Sequence, residues 1–96
     1  MGIEEIIAPK RDEILRIAAK HGVTSIRVFG SVARGEAGPE SDVDFLIEAG
    51  EDVTPWFPGG LIGDLRDLLG REIDVVEPGG LRPYVKEHVL SEAVLF

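Results

Sequence analysis

Residues 30–44 read Gly-Ser-Val-Ala-Arg-Gly-Glu-Ala-Gly-Pro-Glu-Ser-Asp-Val-Asp, and this stretch decides the fold. The apolar run Thr24–Phe29 stops at Gly30-Ser31, and a second run opens on Asp42-Val43-Asp44 and continues through Phe45, Leu46 and Ile47. Alternate residues of a strand share a face. Val43, Phe45 and Ile47 are therefore expected in the core, with Asp42 and Asp44 on the other side, about 6–7 Å apart along the backbone. Two carboxylates fixed on one face suit a hard divalent cation. The Gly-Ser turn ahead of them suits a phosphate. A third acid, Asp74, interrupts the apolar run Ile73–Val76. Phosphate turn, acid pair and third carboxylate together point to metal-dependent phosphoryl chemistry.

Upstream, Ile3–Ile7 reads as a short helical turn. The first main helix is expected over Pro9–His21, with Ile14, Ile17 and Ala18 on one stripe and Gly22 as its stop. Thr24–Phe29 is a strand, Ser31–Arg34 a short helix and Gly35–Ser41 a polar loop. Asp42–Glu48 is the second strand. After a loop over Ala49–Pro58, residues Leu61, Ile62, Leu65, Leu68 and Leu69 form an amphipathic helix capped by Gly70. Glu72–Val76 is the third strand, Pro78-Gly79-Gly80 breaks the chain, and Leu81 to about Leu90 is the last helix, with Pro83 in its first turn. The fold class implied is α+β (mixed α/β): two layers, a small mixed sheet with helices packed on one face and the acids on the other. Trp56 and Phe57 are expected to pack beneath their loop, anchoring the helix that follows, with stacking on a base at the edge of the site as the other reading. Tyr84, Leu95 and Phe96 read as core or as a partner-binding patch.

Ninety-six residues make one domain, residues 1–96, with a single core. The net charge of −8 opposes direct DNA or RNA binding, which depends on Lys and Arg neutralising phosphates. It does not oppose a nucleotide that arrives with magnesium. The absence of cysteine excludes disulfides and thiolate metal sites. The N-terminal stretch carries Glu4 and Glu5 and no long apolar run, so neither a signal peptide nor a membrane span is expected, and a cytoplasmic location is. Gly30–Gly35 has the spacing of a P-loop, but Glu36 and Ala37 stand where Lys and Ser/Thr are required. Leu46 and Ile47 rule out an EF-hand. His21 and His88 lack metal-ligand spacing. His21 is expected at a helix C-terminus facing the dipole, and His88 on a helix surface.

Gly30-Ser31, the spaced Asp42-Val43-Asp44 and Asp74 within Glu72–Val76 resemble the nucleotidyltransferase superfamily that includes DNA polymerase beta. The likeness is to its minimal, MntA-like branch, and it covers nearly the whole chain. The resemblance implies that Asp42 and Asp44 hold two Mg2+ ions (Mn2+ being the alternative) and that Asp74 completes the catalytic metal site or takes the nucleophile's proton. It implies that Gly30 and Ser31 grip the phosphates of a nucleoside triphosphate, ATP favoured. Arg34 is read either as a balance for leaving-group charge or as an ion-pair residue. The implied reaction places AMP on a hydroxyl of a partner protein, a helical HEPN-type ribonuclease toxin, with this chain as the antitoxin. Two other readings stand beside it. A non-catalytic module could neutralise its partner by binding alone, in which case Asn at 42 and 44 would spare neutralisation. A small-molecule nucleotidyltransferase ranks lower, because nothing here forms an acceptor pocket.

Overall fold

The computed structural model describes residues 1–96. Its elements are α1 (Ile3–Ile6), a 3-10 turn (Ala8–Lys10), α2 (Arg11–Lys20), β1 (Val23–Phe29), α3 (Gly30–Ala33), β2 (Val43–Ala49), α4 (Gly59–Leu69), β3 (Ile73–Val76), a second 3-10 turn (Pro78–Gly80) and α5 (Pro83–Glu92). The three strands lie in chain order. β1 and β2 are antiparallel, which the loop after α3 allows, while β2 and β3 are parallel, with α4 as the crossover that parallel pairing demands. The mixed α/β architecture expected from the pattern is the one found.

The alternation of β2 organises the core. Val43, Phe45 and Ile47 have no exposed surface and meet Ile14 and Ala18 of α2 and Leu61 and Leu65 of α4. α1 adds Ile6, and α3 adds Val32 to the same cluster. The opposite face is not bare. Leu46 points there and is only 3% exposed, in a small hollow shared with Pro78 and Leu90. α5 thus reaches across the acid side of the sheet. The tail adds one antiparallel bridge, Val28 to Val94, on the outer edge of β1, with two backbone hydrogen bonds of 3.0 and 2.8 Å. No helix is long and apolar enough to cross a membrane.

Several boundaries shift for identifiable reasons. Pro9 falls inside the 3-10 turn, and the regular helix begins only at Arg11. α5 starts at Pro83 because Leu81 and Arg82 are extended, as the residue before a proline prefers. Asp42 lies just before β2 rather than within it. Trp56 corrects an expectation outright: it is 92% exposed, and Phe57 alone packs against the core. Trp56 takes a left-handed φ of 65° within its turn, uncommon for a bulky residue. Tyr84 is likewise exposed, and Phe96 is the tail residue that packs, its ring 6.1 Å from that of Phe45.

Candidate active site

Asp44 is the centre of the site because β2 is the central strand. Its register partners are Phe29 on one side and Asp74 on the other, so the two acids stand side by side on one face, about 5 Å apart at the backbone. Asp42 precedes Asp44 by two residues and is exposed, as is Asp74, while Asp44 is half-buried. The structure therefore brings all three predicted acids to one edge of one face.

Gly30 closes the floor. It follows β1 directly with φ +74°, a conformation that favours glycine. A Cβ built there would lie 2.1 Å from Oδ2 of Asp44. The Asp44 carboxylate rests on the backbone of the Gly-Ser turn, and only a residue without a side chain leaves that space. Ser31, at the start of α3, is half-buried beside it.

The electrostatics follow from this packing. Burial raises the Asp44 carboxyl above the ordinary carboxylate range. The negative charges of Asp74, Asp42 and Glu92 raise it further, and Arg34 opposes them. Like charges held together with one partial counter-charge disfavour the ionised carboxylate. Arg34 does not supply that counter-charge freely. Its guanidinium donates to Glu36 at 2.5 Å and to Glu92 of α5, so this predicted phosphate-side residue is already ion-paired. Glu92 also lies 3.2 Å from Nε2 of His88, which sits on the exposed surface of α5 as expected and is its i,i+4 partner there. Glu92 carried no signal in the sequence, because its helix has no periodic pattern that orients it.

The donor set fits a hard divalent cation: oxygen ligands only, excess negative charge and a half-buried central carboxylate. No three carboxylates close on one point as a ready-made cage. That suits Mg2+, which takes one or two protein carboxylates and fills its remaining positions with water and substrate phosphate.

Residues 11–96 match the family described as the nucleotidyltransferase domain. The chain belongs to this family. Among relatives of this nucleotidyltransferase, a Methanocaldococcus jannaschii protein named as a candidate protein adenylyltransferase is 38% identical over 94 residues, covering 98% of this chain and 97% of the relative. The protein adenylyltransferase MntA of Thermococcus cleftensis is 36% identical over 92 residues, covering 96% and 90%. A solved structure described as a candidate minimal nucleotidyltransferase superposes with a TM-score of 0.85 at 41% identity, covering 100% of this chain and 97% of that one. A toxin–antitoxin structure with AMP-PNP shares the fold of the nucleotidyltransferase, with a TM-score of 0.72 at 19% identity and coverages of 86% and 68%.

The far end of the sheet holds a polar cluster of a different kind. His21, expected to face the helix dipole, caps α2 but is 5% exposed. Its Nδ1 is 2.8 Å from Thr54 Oγ1 and its Nε2 2.7 Å from Asp64. No local pattern announces these partners, since Thr54 and Asp64 lie 33 and 43 residues away.

Proposed function

We propose that this nucleotidyltransferase moves AMP from ATP to a hydroxyl of a partner protein, and that the partner is a HEPN-type ribonuclease toxin which the modification silences. The observation that carries the chemistry is the contact of Asp44 with Gly30, beside Asp74 on the neighbouring strand. It brings the Gly-Ser turn directly against the Asp44 carboxylate, beside Asp74. The protein substrate is supported by relatives named protein adenylyltransferases that match nearly end to end. The toxin partner is supported by the shared fold with antitoxins of the MntA–HepT pairs.

Asp42 and Asp44 would hold the divalent ions, with Asp74 completing the set. Bound there, Mg2+ would supply positive charge to the phosphates and to the attacking and leaving oxygens. The turn at Gly30 and Ser31 would seat the outer phosphates, since without a Cβ the backbone can approach them closely. Asp74, exposed on the edge strand, would orient the acceptor hydroxyl and take its proton as the oxygen attacks the α-phosphorus. The bond to the β-phosphate oxygen then breaks and pyrophosphate leaves. Arg34 would meet that leaving charge only after exchanging Glu36 or Glu92 for phosphate oxygens. A bulky anion near the toxin's active site would bar RNA by charge and size.

The test is incubation with Mg2+ and triphosphates labelled at the α-phosphate in a lysate of the source organism, with Asp42→Asn/Asp44→Asn as control. Label on one protein with wild type alone supports the reading and names acceptor and base. A partner that co-purifies equally with both versions, without label on any macromolecule, would replace it with a binding module.

A further inference from the structure

The segment that delivers Asp74 also grips the chain on both sides of Asp42. Nη1 of Arg71 donates to the carbonyl oxygens of Gly38 at 2.8 Å and Ser41 at 3.0 Å. The next residue, Glu72, accepts the Val43 amide through its carbonyl oxygen at 3.0 Å. Asp42 therefore sits between a carbonyl held by Arg71 and an amide held by Glu72. The loop is closed from within by Ser41 Oγ, which accepts the Gly38 amide at 2.8 Å. Arg71 is half-buried and forms no salt bridge. An arginine in an acidic protein that spends its donors on two backbone carbonyls holds geometry rather than charge. The Gly35–Ser41 loop is otherwise pinned at Ala37, its one buried residue, which exchanges backbone hydrogen bonds of 2.7 and 2.9 Å with Met1, so the Gly38–Ser41 half depends on Arg71.

We infer that Arg71 is the positioning residue for Asp42, holding the Gly38–Ser41 turn so that the Asp42 carboxylate stands ready beside Asp44 for a divalent cation. The inference rests on the proposed reaction for its cation, and its sign separates it from plain electrostatics. Removing a positive charge beside an acidic site should strengthen cation binding. Losing a positioning contact should weaken it, by about tenfold or more for a residue supporting a metal ligand.

The experiment is Mn2+ titration followed by electron paramagnetic resonance, together with amide hydrogen exchange, on wild type, Arg71→Gln, Arg71→Lys and Arg66→Gln. Arg66 lines the same surface hollow as Arg71 and serves as the charge control. Arg71→Gln is expected to bind Mn2+ about tenfold more weakly. Its Ser41 and Val43 amides should exchange faster while Phe45 is unchanged. Arg71→Lys should fall between it and wild type, and it carries the test if the Gln variant does not fold. Arg66→Gln should bind as wild type or slightly better. Unchanged or tighter Mn2+ binding in a folded Arg71 variant overturns the inference and leaves the proposed reaction standing. A wild type that takes up no Mn2+ even in the presence of a non-hydrolysable ATP analogue overturns the reaction's metal site itself.

Discussion

The two ends of β2 both place polar groups at the margin of the core, and they treat them oppositely. At the far end, about 20 Å from the acids along the strand, His21 is enclosed and both its ring nitrogens are answered, by Thr54 and Asp64. The hydrogen bond from His21, helped by Lys20, lowers the Asp64 carboxyl below its ordinary range. Gly60 makes room for the ring, since a Cβ there would stand 2.8 Å from Cε1. At the near end Asp44 is half-buried among acids, and its carboxyl is raised. A satisfied polar cluster fixes α2, the β2–α4 loop and α4 relative to one another. At the near end the acids outnumber Arg34, the one cation set against Asp44, so the charge is only partly balanced.

The sharpest way to break this contrast is to neutralise each end in turn. Asp44→Asn should lower nucleotidyl transfer by at least about a thousandfold, as expected when a metal-holding charge acting on the transition state is removed. The same variant should unfold at a temperature no lower than the metal-free wild type, because a desolvated charge among like charges has gone. Labelled-nucleotide transfer and a thermal melt without metal check the two halves. His21→Ala should do the reverse. It should cost about 2–3 kcal/mol in denaturant unfolding, from a lost buried side chain and its orphaned partners, with transfer per folded molecule retained.

Gly30→Ala sharpens the near end. The new methyl must displace the Asp44 carboxylate and adopt a positive φ, so both stability and transfer should fall, stability by about 1–3 kcal/mol. The smallest expected effect is in pH. A carboxyl raised by folding penalises the native state above its folded pKa, and that penalty is relieved as pH falls through it. The stability advantage of Asp44→Asn should therefore shrink on acidification, just above the usual carboxylate range. Asp64, lowered by folding, contributes stability that is present above its unfolded pKa and is lost only as pH falls through its lower folded value. Melts of wild type, Asp44→Asn and Asp64→Asn between neutral and acid pH separate the two windows.

Much of the near end was legible because it is local or periodic. Alternation in Val43–Ile47 gave the buried face and hence the side on which Asp44 stands. Asp74 stood out because an acid in Ile-Asp-Val-Val needs a reason. The far end was illegible because its partners come from different elements, and no pattern links His21 to Thr54 and Asp64. Arg71 and Glu92 were missed for the same cause: a single arginine after a helix cap, or a glutamate near the end of an unpatterned helix, points nowhere until the chain is folded. Trp56 is illegible for another reason: apolar character does not by itself demand burial, and this indole sits in a turn, 92% exposed.

The bridge from Val94 to Val28 bears on how copies of this chain meet one another. β1 is an outer strand, and its free amides and carbonyls form a template on which another strand can grow. The tail occupies that template beside Val28, at the half of β1 nearer the acids, while its one bridge does not reach the exposed Thr24 at the other end. Trimming the last three residues would uncover backbone next to the functional end. Mutual repulsion at a net charge of −8 would then be the main guard against stacking into filaments, and it weakens as salt is added.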